Sequence, residues 1–528
     1  MNNFSKKSTF YLNTIFIILV LAYIALGWLL ISNISHVFPF SGPDEIMHES
    51  MAEYIAKYLS WPNWDSKELI RNAYGVSYST GSAIVYWVHA LSYKLFGYHR
   101  VGSFILLLIY LLITTIIYKK NKIAGFFLLA SLFPQALFIF SYVNSDTGTI
   151  LSALVLGMSV GLFIVGKGSL KNFLIVMFFA GFAVTARQHL WVIALITLIW
   201  VICYRYKTVF TFNKKILMLS ILVALVPASW WFITSYLAND GDILGAFTNA
   251  KSIAEFSKEG LPSLGRNWSA FSILTFIHST IYSLYGNWGW TSLPLDDYEY
   301  ILIFIFALLI AYFLYKNISK KIFIFLVFLV LINLFLMVIY SVFYDYQSQG
   351  RYLFPSIYVT VGIVASTLAL SKVSSKNLLY LLAIFAVLNV YFSAKLTINS
   401  YLYLDKPVKI LCDQNIYYKD AAMHVDKLKI VDNKLFIRGW IFNKKNGSIF
   451  NNLNLVLKKD NDYYKIELEQ EERKDVARAF GSNNIKDSGF SAKMIDISAM
   501  QKGKYECLIS VTIDNKKMLI KLDKILKI

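Results

Sequence analysis

The chain has 528 residues, 57% of them hydrophobic, and its 51 Lys and Arg outnumber 32 Asp and Glu to give a net charge of +19. Repeated apolar runs of about 18 residues or more, with a mean hydropathy of +0.53, exclude a soluble enzyme and indicate a polytopic helical membrane protein. Cys203, Cys412 and Cys507 form neither a disulfide framework nor a zinc-type spacing, and Lys and Arg do not interleave with aromatics in a soluble groove, so no nucleic acid partner is expected.

The first apolar run follows Lys6 and Lys7, is long enough to span, and has no small-residue cleavage site after it; it is expected to stay as a first helix. Further spans are predicted at 101–118, 123–143, 147–166, 172–187, 190–204, 216–236, 299–315, 322–343, 353–371 and 378–395, about 11 transmembrane helices in all. The connections on the N-terminal side, from Lys6 and Lys7 through Lys119, Lys120 and Lys214 to Lys376, hold Lys and Arg but no Asp or Glu. By the positive-inside rule that face, and the N-terminus with it, is cytoplasmic in a bacterial plasma membrane; anionic lipid is a natural neighbour there.

The other face receives two long loops, about 33–99 and 237–298, both rich in aromatics and with amphipathic stretches suited to the interface. Residues 1–404 are therefore read as one transmembrane domain. Beyond it the apolar runs shorten and alternate, as in "KLFIRGWIF", "NNLNLVLKK", "YYKIELEQ", "YECLISVTI" and "KKMLIKLDKIL". Residues 405–528 are read as an extracytoplasmic β-sandwich.

Chemistry-bearing residues gather at the outer rim. In "SGPDEIMHES", Ser41, Pro43, Asp44 and Glu45 suit a helix start, but Asp44 and His48 also share a helix side at i, i+4. A catalytic base or a divalent metal site (Mg or Mn, on Asp44, Glu45 and His48) is the competing reading. "YVNSDTG" places Asn144 and Asp146 in what is either a polar turn or part of a site. "TARQHLW" puts Arg187 and His189 between two apolar helices, facing a cavity unless Arg187 reaches back to the interface. In "YDYQSQGRYLFP", Gln349, Arg351 and Tyr352 open a helix whose N-terminus faces outward, an anion site unless Arg351 pairs with Asp345. There is no Walker loop, GxGxxG, GxSxG or HExxH.

Four ordered stretches, "GPDEIMH" at 42–48, "YVNSD" at 142–146, "YGNWGWTSLPL" at 285–295 and "QGRYLFP" at 349–355, resemble a bacterial membrane family catalogued as a domain of unknown function and similar to the glycosyltransferases of the GT-C fold. The likeness covers roughly residues 10–400. "IRGWIFN", "ERKDVARAF" and "DSGFSAKM" look like a β-sandwich module appended to surface-polysaccharide glycosyltransferases, a carbohydrate-binding one. The resemblance implies a sugar donor on a polyprenyl phosphate, chemistry on the non-cytoplasmic face, and an acidic base or metal ligand in the first outer loop. That position falls on Asp44, with Glu45 beside it. The family's more Pro-rich "DEPxH" is "DEIMH" here, and Asn287 stands where a basic residue is expected.

The sequence thus predicts an inverting membrane glycosyltransferase that carries a sugar from a polyprenyl-phosphate donor to a cell-surface glycopolymer. Asp44 is the expected base, with Glu45 or His48 orienting it. Arg351, Arg187 and His189 are expected on the donor phosphate, and Asn144, Asp146, Gln349, Tyr352 and Trp290 support them. The alternatives are a polymerase or ligase using polyprenyl-pyrophosphate-linked oligosaccharides, and a flippase of lipid-linked sugars; a flippase would carry polar groups through its spans rather than at one rim.

Overall fold

A computed structural model describes residues 6–33, 44–71, 75–81, 83–166, 168–256, 272–288, 293–343, 347–371, 375–402, 408–410, 420–431, 433–460, 462–497, 500–513 and 516–528. The chain divides near Thr397 into two compact units.

The first unit is helical. Helix α1 (Lys6–Asn33) is followed by the short α2 (Glu45–Tyr58) and α3 (Val85–Phe96), then by α4 (Arg100–Lys120), α5 (Lys122–Ala130), α6 (Pro134–Ile139) and α7 (Asp146–Val165). Next come α8 (Leu170–Val184), α9 (Gln188–Tyr204), the one-turn α10 (Tyr206–Val209) and α11 (Lys214–Ala238), with α12 (Ala246–Phe256) and α13 (Ile273–Gly286) in the second long loop. A two-residue ladder, β1 (Asn287–Trp288) on β2 (Leu293–Pro294), leads into α14 (Asp297–Asn317), α15 (Lys320–Phe343), α16 (Phe354–Leu370) and α17 (Lys376–Leu402).

Among the described residues eight helical segments are long and apolar enough to cross a membrane: α1, α4, α7, α11, α14, α15, Gly350–Leu370 and α17. Helices α8 and α9 are apolar but shorter, at 15 and 17 residues. The span predicted at 123–143 is not one helix. Pro134 has no amide hydrogen and forces Phe133 into an extended conformation, so α5 stops and α6 restarts at the proline. The carbonyls freed at the break find side-chain donors from four helices. Tyr110 Oη donates to Leu128 O at 2.9 Å, Tyr23 Oη to Leu132 O at 2.9 Å, Tyr358 Oη to Ser131 O at 2.9 Å and Asn389 Nδ2 to Ala130 O at 2.7 Å. Broken helix at membrane depth is tolerated where protein satisfies the backbone in this way.

Helices α7 and α16 pack backbone to backbone. A Cβ at Gly157 would collide with Val359 O, one at Gly161 with Ser366 Oγ, and one at Gly362 with Leu154 O. Small residues at this spacing let two apolar helices touch without side chains between them. Helix α7 starts at Asp146, and α16 follows the 3-10 turn Gly350–Leu353 that holds Arg351, so the contact carries both charges.

The second unit is all but entirely antiparallel β. Its strands are β3 (Val408–Ile410), β4 (Ala421–Val431), β5 (Lys434–Asn443), β6 (Ser448–Ile449), β7 (Asn451–Lys459), β8 (Asp462–Glu467), β9 (Glu469–Glu471), β10 (Gly489–Asp496), β11 (Lys504–Ile513) and β12 (Lys516–Lys527), with α18 (Lys474–Ala479) between β9 and β10. One sheet runs β4-β5-β10-β9 with β6 on β5; the other runs β12-β11-β7-β8-β3. Leu435, Ile437 and Phe490 of the first sheet and Leu455, Leu457, Ile509 and Leu522 of the second share one core, which makes the pair a sandwich.

Candidate functional site

The polar ends of α2, α7, α9 and α16 meet at the end of the bundle opposite the basic connections. Asp44 precedes α2 in the left-handed region, at φ 61°, ψ 8°. Aspartate is among the few residues that visit this conformation, and the cost is of order 1 kcal/mol. The turn removes Asp44 from the helix proper. Its carbonyl accepts from the amides of Met47 and His48, and its half-buried carboxylate accepts from Tyr78 Oη at 2.9 Å.

Glu45 turns the other way. It is fully buried, and both its oxygens engage Arg100, at 2.8 Å from Nε and 3.0 Å from Nη2, while the Val143 amide donates to it at 3.0 Å. His48 joins neither acid: Nδ1 meets Tyr86 Oη, and its ring stacks on Tyr78 with centroids 4.0 Å apart. Burial first, then the charges of Arg187 and Arg351 and the nearby His89, hold its imidazole well below the usual range, so the ring is neutral. The spacing argument for an Asp44–His48 pair therefore fails, and the two communicate through Tyr78.

The metal reading does not fit this arrangement. Asp44, Glu45 and His48 face three different partners, and among the described residues no three His, Cys, Asp or Glu side chains converge as ion ligands.

Asp146 lies between two guanidiniums, in direct contact with Arg187 Nη1 and 3.7 Å from Arg351 Nη1. Tyr352 lies beside both arginines, whose guanidinium carbons are 5.8 and 5.5 Å from its ring centroid. Arg351 also donates to Tyr142 Oη at 3.3 Å, and its buried Nε has no hydrogen-bond partner among the described residues. Gly350 makes this seat possible: its amide donates to Ser283 Oγ at 2.7 Å, and a Cβ there would strike the Leu284 backbone.

Arg187, His189, Tyr352 and Gln347 form the polar end of a cleft of about 380 Å³ whose wall is Val192 of α9 and Leu336, Met337 and Ile339 of α15. The His189 ring centroid is 5.3 Å from that of Tyr352. Asn144 is a turn residue, its Nδ2 donating to the carbonyls of Ile139 and Tyr142 and its Oδ1 capping the Thr147 amide at 3.0 Å. Gln349 precedes the turn that carries Arg351, and its carbonyl takes the Tyr352 amide at 3.2 Å. Trp290, Ser41, Pro43, Asp345 and Cys412 lie outside the described residues.

Four participants escaped the sequence reading: Arg100, Tyr78, Tyr86 and Tyr142. Arg100 carried a signal, being a cation on the rim where acids collect, and Tyr142 opens the stretch "YVNSD"; Tyr78 and Tyr86 carried none among so many aromatics.

Along α2, Glu49 faces Glu45, Arg100 and Glu53; burial, then Glu45, push its carboxyl from its ordinary 4.5 to about 7 against the pull of Arg100. Between those values the folded chain holds a proton that the unfolded chain has lost, so stability falls as pH rises through the window. Thermal unfolding in detergent should show a loss of up to about 3 kcal/mol between pH 4.5 and 7, absent in Glu49→Gln. An unchanged slope in that variant would assign the dependence elsewhere.

A family model described as "Predicted membrane protein (DUF2142)" matches residues 71–360. No curated protein sequence matches. Two solved structures are similar. ArnT from Cupriavidus metallidurans bound to undecaprenyl phosphate is 14% identical, with 72% of this chain and 77% of that chain covered at a TM-score of 0.48. The apo state of the same protein is 14% identical, with 70% and 61% covered at a TM-score of 0.44.

Proposed function

The chain belongs to the DUF2142 family of multi-pass membrane proteins, and from that premise we propose that it is a GT-C-type glycosyltransferase that transfers a sugar from a polyprenyl-phosphate donor to a cell-surface glycopolymer. One observation carries the reading: a cleft with an apolar wall ends in Arg187, His189 and Tyr352, with Arg351 and Asp146 behind them and Asp44 at the same end of the bundle. An amphiphile with a phosphate head fits such a cleft, its chain against α9 and α15 and its anion at the guanidiniums. The Nε of Arg351, without a partner among the described residues, is a further donor for that anion.

The basic connections support a reading with the opposite end in the cytoplasm and with this site and the β-sandwich outside. No nucleotide sugar exists there, so a lipid-borne donor is the chemically available one. The acceptor hydroxyl attacks the anomeric carbon, its proton passes to the Asp44 carboxylate, and the bond to the phosphate oxygen breaks with its electron pair left on the polyprenyl phosphate. Attack opposite the leaving group inverts the anomeric centre. Arg187 and Arg351 take up the charge that develops on the phosphate, and Asp146 holds them apart at fixed spacing. Tyr78, stacked on neutral His48, orients the base.

The test is the composition of surface polymers in a strain lacking the protein. Polymers of normal length that lack one sugar support the transferase; shortened polymers point to a polymerase, and unaltered composition refutes both. In the purified protein, Arg351→Gln should weaken polyprenyl-phosphate binding by about tenfold or more, measured by lipid retention in native mass spectrometry. Retention equal to the unmodified chain would remove Arg351 from the phosphate.

A further inference from the structure

A second amphipathic cavity lies at the far end of the bundle from the site. It encloses about 530 Å³ between α1, α4 and the start of α5, with Phe16, Ile17 and Leu21 as its apolar wall and Thr115, Lys119 and Lys122 at its polar end. Tyr118 stacks on Phe16, with ring centroids 3.7 Å apart, and donates to Asn13 Oδ1 at 2.8 Å, so these polar groups satisfy one another. Lys122 is different. Its Nζ is buried and has no hydrogen-bond partner among the described residues, and the Tyr118 ring centroid is 5.9 Å away.

An ammonium has three donors and no acceptor capacity, and burying it without an anion is costly. Among the described residues no carboxylate lines the cavity to relieve that cost. Ile17 and Leu21 are exposed on the outer surface of α1, so the apolar wall opens sideways, as a trough for an acyl chain requires. The occupant must then be an amphiphile with an anionic head, at the face whose connections are uniformly basic. We propose that this cavity is a binding site for an anionic phospholipid, its phosphate on Lys122 and Lys119 and one acyl chain along Phe16, Ile17 and Leu21. The bound lipid seats α1 against α4 and α5. This inference stands on its own residues and does not depend on the transferase reading.

The test uses the full chain in detergent, supplied with phosphatidylglycerol, phosphatidylcholine or undecaprenyl phosphate at equal concentration. Lipid retention is read by native mass spectrometry and protection by thermal unfolding. Phosphatidylglycerol should be retained and raise the unfolding midpoint, whereas phosphatidylcholine should not. Lys122→Gln should weaken retention about tenfold, and Leu21→Trp, which fills the trough without touching a charge, should do the same. Lys120→Gln is the control: Lys120 is exposed and does not line the cavity. Equal losses in the Lys120 and Lys122 variants would mean diffuse attraction and overturn the site. Retention of phosphatidylcholine to the same extent would also overturn it, as would full retention in Leu21→Trp. Preferential retention of undecaprenyl phosphate, lost in Lys122→Gln, would overturn the phospholipid assignment in favour of an isoprenoid monophosphate.

Discussion

Asp44→Asn is expected to lower sugar transfer by about 10²- to 10⁴-fold, the range a general base contributes, while leaving the unfolding midpoint in place. The substitution is chosen for the backbone. Asp44 sits at φ 61°, and asparagine tolerates that region as aspartate does, whereas alanine would add strain to the loss of the carboxylate. The amide oxygen can still accept from Tyr78, so the turn and its aromatic support survive. What disappears is the capacity to take a proton. Retained transfer by the purified Asn variant would remove Asp44 from the base role, whatever the state of the fold. A parallel change at Tyr78 to Phe should cost less, because it leaves the base and removes only the bond that orients it.

Its neighbour should behave in the opposite sense. Glu45→Ala takes from the buried Arg100 guanidinium its bidentate ion-pair partner, leaving only the more distant Glu49, and takes the acceptor from the Val143 amide. Breaking a buried ion pair from one side costs about 3–5 kcal/mol, so the variant should unfold at markedly lower temperature or fail to accumulate. Removing both charges, with Met at positions 45 and 100, should recover much of that loss, because the larger part of it belongs to the orphaned guanidinium. Thermal unfolding of the three variants separates the cases. If Glu45→Ala keeps its midpoint but loses transfer, Glu45 acts in the chemistry and the assignment to Asp44 alone is wrong. Two adjacent acids would thus divide into one that reacts and one that holds the first long loop to α4.

The end of the bundle that carries the site was legible because topology and chemistry leave different charges at different faces. Lys and Arg mark one set of connections, and the few ionisable groups at the other rim, Asp44, Asp146, Arg187 and Arg351, include those that the fold gathers. Their partners were not legible. Helical spacing suggested that Asp44 and His48 pair, but the left-handed turn at Asp44 breaks the periodicity on which that inference rests. Arg351 looks toward Asp146, more than two hundred residues away, by a contact that only the crossing of α7 and α16 creates. Asn144 and Asp146, two residues apart, proved to have separate roles, one building the turn and the other bridging the arginines. Pro134 was visible inside its apolar run, but the carbonyl acceptors for Tyr23, Tyr110 and Tyr358 were needed to show that a break there is affordable. In the β unit, the alternating segments became β5, β7, β8, β11 and β12, whereas β4, "AAMHVDKLKIV", was missed because its polar residues interrupt the alternation.

The glycine contact between α7 and α16 has a bearing on how the protein would respond to its membrane. Bilayers differ in thickness, and helices meet a mismatch by changing tilt, which shifts charges at their ends when side chains with rotameric slack separate the axes. Here carbonyls rest against Gly157 and Gly362, and the neighbour at Gly161 is the short Ser366 side chain, itself tied to Gly362 O at 2.8 Å, so little rotameric slack lies between the axes. The pair should tilt as one rod, so that the spacing of Asp146 and Arg351 stays constant while the surrounding helices adjust. Sugar transfer in vesicles of short- and long-chain lipids should then vary through access of the donor to the cleft, with the charge geometry that receives its phosphate left unchanged.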